Sequence, residues 1–411
     1  MGRRGAILLG SALLCGPAFS ADYVTVGTLH RDGATEIGLT FAPTVDLSST
    51  LLLSQYQLAD HDITSIRQVP QNGAIVLSTS DLDGGSTCTF NNLKSTDGKT
   101  IPQFSASVLP GAFEWVAIGS QELGFTPDAV AIGTNGFDLI SGGFQLFDTY
   151  DEATFAYETV SGDFDKHVRV DYQDPSSRWA RAGLMVRETL DAGRPRPSDP
   201  FDPAQAFSRY LEVHVTPAMT AYGDPASNMH EINFRPFTGG IGSPEFDVTE
   251  NPTIVNNAAP EYPNVWLRIK RIGQLFTVYR GNDGTNWVQL GSFTFPTQDV
   301  NGLPVPPFPK TVYVGPSFSP ENGNIPVSTG TRAAFIAKFR DYGGTSTPGG
   351  TTPPELKITK NSGQVELSWE GTAILQSNSN LKSNLWTDLP SASSPHKLQP
   401  TGKAIFYRLK L

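Results

Sequence analysis

Cysteine is nearly absent from this sequence: among 411 residues only Cys15 and Cys88 carry a thiol. Cys15 lies in an N-terminal stretch that reads as removable, so no intramolecular disulfide is expected, and Cys88 reads as a small buried core residue. Beyond the first twenty residues no apolar run reaches the roughly 18 residues needed to cross a bilayer, so insertion into a membrane is not expected. Uninterrupted 3.6-residue periodicity is also scarce, while 40 Gly and 32 Pro punctuate the chain. Helix is therefore expected to be the minority state. Basic residues are in deficit, 30 against 40 acidic ones, for a net charge of -10. An acidic surface repels phosphate backbones, which excludes nucleic acid as an expected partner.

The chain opens with Arg3 and Arg4, an apolar run from Ala6 to Leu14, and small residues at Ala18 and Ser20. This is the pattern of a secretory signal peptide over residues 1–20, with cleavage before Ala21. Leu14 stands before Cys15 where a lipoprotein signal requires a small residue. A secreted or cell-surface location follows as an expectation. Removing the signal leaves 28 basic against 40 acidic residues, a formal charge of -12.

About 390 mature residues call for two or three cores, because single cores stop growing near 250 to 300 residues. Residues 21–115 carry short alternating stretches such as Glu36-Ile37-Gly38-Leu39-Thr40-Phe41 and Thr87-Cys88-Thr89-Phe90, the signature of a small β-sandwich. Residues 125–344 hold nine or more candidate strands, among them His167–Tyr172, Ala182–Arg187, Arg209–Val215, Val265–Lys270 and Ala333–Phe339. Strands of this length joined by turns fit a two-sheet sandwich. Asn282-Asp283-Gly284 is expected to supply the positive φ of a tight hairpin before Trp287. Residues 345–354 are a Thr/Pro/Gly linker by composition, and 355–411 form a last small β unit.

The motifs Gly136-Phe137-Asp138-Leu139, Ser161-Gly162-Asp163-Phe164-Asp165, Arg181-Ala182-Gly183-Leu184-Met185-Val186-Arg187-Glu188, Trp266-Leu267-Arg268-Ile269, Asp283-Gly284-Thr285-Asn286-Trp287 and Val312-Tyr313-Val314-Gly315-Pro316 come in order. Together they resemble the concanavalin A-like lectin/glucanase (LamG-like jelly-roll) domains of exported bacterial proteins. The flanking segments resemble a bacterial immunoglobulin-like module, with its Gln55-Tyr56-Gln57-Leu58, and a small C-terminal β module, with its Leu367-Ser368-Trp369 and Phe406-Tyr407-Arg408-Leu409. The resemblance implies an all-β architecture: a central jelly-roll sandwich between an Ig-like sandwich and a small β domain. It brings a fold and only a general function. The stretches 191–206 and 223–263 read as long Pro-rich surface insertions that depart from the family's short hairpin.

Catalytic patterns are missing. A glycosidase needs two carboxylates about 5 to 9.5 Å apart, and laminarinase-type relatives place them on one E-x-D-x-x-E strand that this sequence lacks. The nearest acids, Asp148 to Glu152 and Asp163 to Asp165, read as solvated loop residues. No G-x-S-x-G elbow occurs, and the six histidines are scattered.

Strand alternation instead gives Leu184, Val186, Leu211, Val213, Leu267 and Ile269 to the interior. Trp179, Arg181, Arg187, Tyr210, Glu212, Trp266 and Arg268 then face outward. If the jelly-roll resemblance makes their strands neighbours in one sheet, aromatic faces and charged hydrogen-bonding groups combine into a surface suited to a sugar. Cross-strand ion pairing on an ordinary sheet is the competing explanation. Related sandwiches hold a structural calcium ion near the ends of the domain, which would fall here to Asp138 and Asp341, although no Asp-x-Asp-x-Asp loop accompanies them. The expected function is non-catalytic recognition of a glycan or another extracellular polymer. A polysaccharide hydrolase and a structural envelope or adhesion component are the alternatives.

Overall fold

The structure is a computed structural model. It describes residues 23–82, 84–119, 127–143, 146–147, 150–190, 208–217, 228–240, 242–247, 260–299, 301–321, 334–346, 356–361, 364–369, 374–379, 386–389, 392–398 and 405–410. The signal segment, the stretch 191–206 and most of the linker lie outside the described residues.

Among the described residues there are strands and short 3-10 turns and no α-helix. The first strands are β1 (Val24–Arg31), β2 (Ala34–Phe41), β3 (Tyr56–Leu58), β4 (Ile63–Val69), β5 (Ala74–Ser80), β6 (Ser86–Phe90) and β7 (Phe104–Val108). Next come β8 (Glu114–Ile118), β9 (Asp128–Ile132), β10 (Gly136–Ser141), β11 (Leu146–Phe147), β12 (Tyr150–Asp151), β13 (Ala153–Ser161), β14 (Phe164–Gln173) and β15 (Arg181–Arg187). They are followed by β16 (Tyr210–Val215), β17 (His230–Arg235), β18 (Ser243–Asp247), β19 (Val265–Ile272), β20 (Leu275–Gly281), β21 (Trp287–Thr294), β22 (Thr311–Ser319) and β23 (Phe335–Ser346). The chain ends with β24 (Lys357–Asn361), β25 (Gln364–Ser368), β26 (Ile374–Asn378), β27 (Thr387–Asp388), β28 (His396–Leu398) and β29 (Phe406–Lys410).

Two large sheets face each other. One has the order β18-β17-β16-β15-β22-β13-β8-β1-β2-β5-β4 and the other β21-β20-β19-β14-β23-β10-β9. Alternation explains their shared core: Leu184 and Val186 on β15, Leu211 and Val213 on β16, and Leu267 and Ile269 on β19 all enter one buried cluster with Phe164, Val168 and Phe318. Burying side chains of this size stabilises by about 1.5–3 kcal/mol each, which selects this register over a one-residue slip.

The first seven strands have a core of their own, built on Ile37, Leu39, Ile75, Leu77, Cys88 and Phe90. Its β1–β2 hairpin turns through Asp32 and Gly33, both at positive φ (52° and 78°), as a two-residue mirror-type turn requires. Cys88 is fully buried and its thiol pKa is pushed up to about 12 by that burial, which fits the core role expected of it. The N-terminal strands also continue the large sheet. A single parallel bridge, His30 to Glu114, joins β1 to β8, and Val69, Val76, Val130, Ile140 and Ile336 form an apolar cluster across the seam. Arg67 spans it too, reaching Glu36 and Asp128 at 2.9 and 2.7 Å. A third core around Leu367, Trp369 and Leu375 holds the last strands.

One expectation is corrected, and another is met at a single residue. The stretch 223–263 is not all insertion, since β17 and β18 within it extend the large sheet by two strands. His230-Glu231-Ile232-Asn233-Phe234-Arg235 hides this because its polar side chains are buried as well, so the apolar/polar contrast is lost. In the loop before Trp287 only Gly284 takes a positive φ, 74°. Asp283 organises that loop instead, its carboxylate accepting from the amides of Thr285 and Asn286 at 2.9 and 2.8 Å.

Candidate functional site

The outward-facing residues predicted from alternation separate onto two opposite surfaces. β15 and β16 are neighbours in the eleven-stranded sheet, but β19 belongs to the facing sheet. Arg181, Arg187, Tyr210 and Glu212 therefore share one surface, while Trp266 and Arg268 lie on the far side of the sandwich. The single continuous surface expected from the sequence does not exist, because which sheet a strand joins is a property of topology that alternation does not report.

On the first surface the four residues point away from the core and yet are buried: Arg187, Tyr210 and Glu212 are 0% exposed and Arg181 is 4% exposed. Part of the cover is the β11–β12 hairpin, whose Leu146 carbonyl accepts from Asn233 at 2.9 Å and whose Asp151 lies beneath it. One Asp151 oxygen receives Arg187 at 2.6 Å and Arg235 at 2.7 Å, and Tyr210 lies under both guanidinium groups. Burial pushes the Asp151 pKa up, but the two guanidiniums more than reverse this and hold it below the usual carboxylate range. Asp151 and Glu152 were expected in solvent, and at 1% exposure each they are buried. An arginine pair aimed at the sheet needs a counter-charge, and the hairpin carries it inward.

Further along this surface Glu212 lies across Gly183, where a Cβ would come within 2.6 Å of its carboxylate. It accepts the Ser317 hydroxyl, and His214 Nδ1 stands 3.4 Å away. His214 Nε2 meets Glu231 at 2.9 Å. Burial alone would lower the His214 pKa, but the two carboxylates outweigh it and raise the pKa above the ordinary imidazole value. The sequence shows the six histidines only as scattered; His214 is bracketed by Glu212 of its own strand and Glu231 of the next, a pairing that spacing along the chain does not report.

The second surface is partly exposed, with the 282–286 loop lying against the Trp266 ring. On the outer side of the seven-stranded sheet, Trp266, Gly281 and Trp287 stand in one cross-strand row, and His167, Arg268 and Tyr279 in the next. These five side chains are half-buried. Trp287 lies against Gly281, where a Cβ would come within 3.2 Å of its ring, and the two tryptophan ring centroids are 6.4 Å apart in an edge-to-face arrangement, with His167 5.9 Å from each. Arg268 lies 4.8 Å over Tyr279 and 5.2 Å over Trp287, fixed by two 2.6 Å hydrogen bonds to Asp165. Trp287 and Tyr279 were not among the predicted ligand-binding residues, although strand alternation with Trp266 and Arg268 carried that signal. Trp179 sits in the turn before β15, half-buried under Arg178 at 5.1 Å.

The predicted calcium residues do not fit a cation. Asp138 is 3% exposed and accepts from Arg340 at 2.7 Å and Asn72 at 2.9 Å. Asp341 pairs with Arg169 at 2.7 Å. A guanidinium on each carboxylate already supplies the positive charge, and among the described residues no group of three or more His, Cys, Asp or Glu side chains could hold a metal ion.

No family model matches the sequence, and no curated protein matches it. Solved structures match by shape at low identity. A functionally unknown protein from Saccharomyces cerevisiae aligns over 57% of this chain and 97% of its own, at 13% identity and a TM-score of 0.37. The GH43 protein BlXynB from Bacillus licheniformis aligns over 77% of this chain and 64% of its own, at 13% identity and a TM-score of 0.32. A xylan beta-1,4-xylosidase from Bacillus halodurans covers the same shares at 14% identity and a TM-score of 0.32. Scores this low carry nothing about activity over to this chain.

Proposed function

We propose that this is a secreted, non-catalytic binding protein of the concanavalin A-like kind, whose central sandwich recognises a glycan or another extracellular polymer. The N-terminal β-sandwich acts as a spacer in this reading, and the last β unit as a terminal module. The observation that carries it is the half-buried row of Trp266 and Trp287 beside Arg268 and Tyr279 on the outer face of the seven-stranded sheet. Aromatic faces stack on the C–H side of a sugar ring, and the Arg268–Asp165 pair offers donors and acceptors to its hydroxyls. The net charge of -10 argues against nucleic acid as the polymer.

The hydrolase alternative places its site on the Pro-rich insertions; of the acids nearest the strands, Asp151 and Glu152 are each 1% exposed, and Asp165 is held by Arg268 at 2.6 Å. Retention on a glycan array and mobility in polysaccharide-loaded gels test the proposal. Trp287→Ala and Trp266→Ala should each weaken retention by roughly tenfold or more, the scale of losing one stacking contact, with the fold kept by circular dichroism. Unchanged retention in both variants would remove the reading, and release of reducing sugar by the wild type would replace it with the hydrolase.

A further inference from the structure

Two arginines of the β19–β20 hairpin point into the sandwich rather than out of it. Arg271 and Arg280 are each 2% exposed. Arg271 is satisfied by main chain: its Nε donates to Gly273 O at 2.9 Å, Nη1 to Lys310 O at 3.2 Å and Nη2 to Pro309 O at 2.7 Å. Arg280 has the same burial and none of these partners. Its Nε and Nη2 are both enclosed without a hydrogen bond, and among the described residues no acid acts on its charge. Burial alone lowers its pKa. Across the interior, on the core face of β17, His230 is 1% exposed and its Nε2 is likewise enclosed and unpartnered. Burial, with the Arg280 charge adding to it, drops the His230 pKa to about 3, so at neutral pH this imidazole brings no second positive charge.

An enclosed guanidinium without a counter-charge is strongly unfavourable. The unfilled edge is the Nε/Nη2 side, where two N–H groups point in parallel and match two oxygens of one planar anion. The neutral His230 imidazole, on the facing sheet and within reach of the Arg280 charge, supplies a further donor in one tautomer.

We infer that Arg280 and His230 form an anion-binding site inside the sandwich, taking a small planar oxyanion of formate or nitrate type on the Nε/Nη2 edge of Arg280. Such an anion ties β20 to β17 across the core. It lies directly behind Tyr279 and Gly281, the strand neighbours of Arg280, and so beneath the aromatic row on the outer face. The inference rests on donors and burial alone and does not depend on that row binding a glycan.

Thermal unfolding of the full chain in sodium formate, with ionic strength held constant by sodium fluoride, tests it. A bound anion stabilises as RT ln(1+[L]/Kd), so at a hundredfold excess over Kd the midpoint should rise by roughly 5 to 10 °C and then level off. Arg280→Met, which keeps the stem and removes the charge, should lose the formate response and melt no lower than wild type in formate-free buffer. The site is ruled out by a wild-type response that is absent or linear without saturation, by an equal saturable response in Arg280→Met, or by Arg280→Met melting well below wild type without formate. If the variant does not fold, broadening of the 13C-formate resonance by the wild type decides, and an unbroadened line overturns the site.

Discussion

Replacing Asp151 by Asn removes the charge shared by Arg187 and Arg235 while keeping the side chain's shape. All three side chains are fully buried, and each guanidinium contacts the same carboxylate oxygen, at 2.6 and 2.7 Å. Taking one partner out of a buried pair leaves uncompensated charge and costs about 3–5 kcal/mol. Here two cations lose the same oxygen at once, and a cost within that range is expected. The Arg268–Asp165 pair provides the control: its distances are the same, but its side chains are about one-fifth exposed, and Asp165→Asn should cost about 1 kcal/mol or less. Urea unfolding of both variants, followed by tryptophan fluorescence, gives the comparison. The pH dependence has a definite sign. Because the folded pKa of Asp151 is depressed, its contribution is complete above the ordinary aspartate value of about 3.9 and is lost as the pH falls through the lower folded value. A loss below about 1 kcal/mol in Asp151→Asn, or equal losses in the two variants, would refute the argument that burial makes this network matter.

Two further outcomes follow from the same surface. The raised pKa of His214 means that its stabilising contribution is full below the ordinary imidazole value near 6.5 and fades as the pH rises through the higher folded value; His214→Gln should flatten the pH dependence of the unfolding midpoint across that window, and an unchanged slope would count against the bracketed imidazole. Gly183→Ala places a Cβ 2.6 Å from the Glu212 carboxylate and should cost about 1–3 kcal/mol in unfolding free energy, with much of the loss recovered when Glu212→Ala is added; no recovery would mean that the clash lies elsewhere.

What the sequence determined by itself is the class of structure and the sidedness of its strands. Gly and Pro frequency with two-residue alternation suffices for an all-β sandwich, and Leu184, Val213 and Leu267 went where alternation sent them because a slip of one residue would expose a whole apolar face. The Gly in Arg181-Ala182-Gly183-Leu184-Met185 was visible as a motif, but its reason was not: Glu212, 29 positions later, fills the space.

Only the tertiary structure decided which surfaces are free. The sequence marks Arg187 and Arg268 alike as outward-facing arginines on strands. One is sealed under the β11–β12 hairpin against Asp151, and the other lies half-open beside two tryptophans. Alternation is a local property of the backbone, whereas sheet membership and cover come from contacts between residues far apart in the chain. Asp151 reaches Arg235 over 84 positions, and Arg268 reaches Asp165 over 103. No pattern within a short window can register such pairings, and they set whether a charge is a buried tie or a surface group.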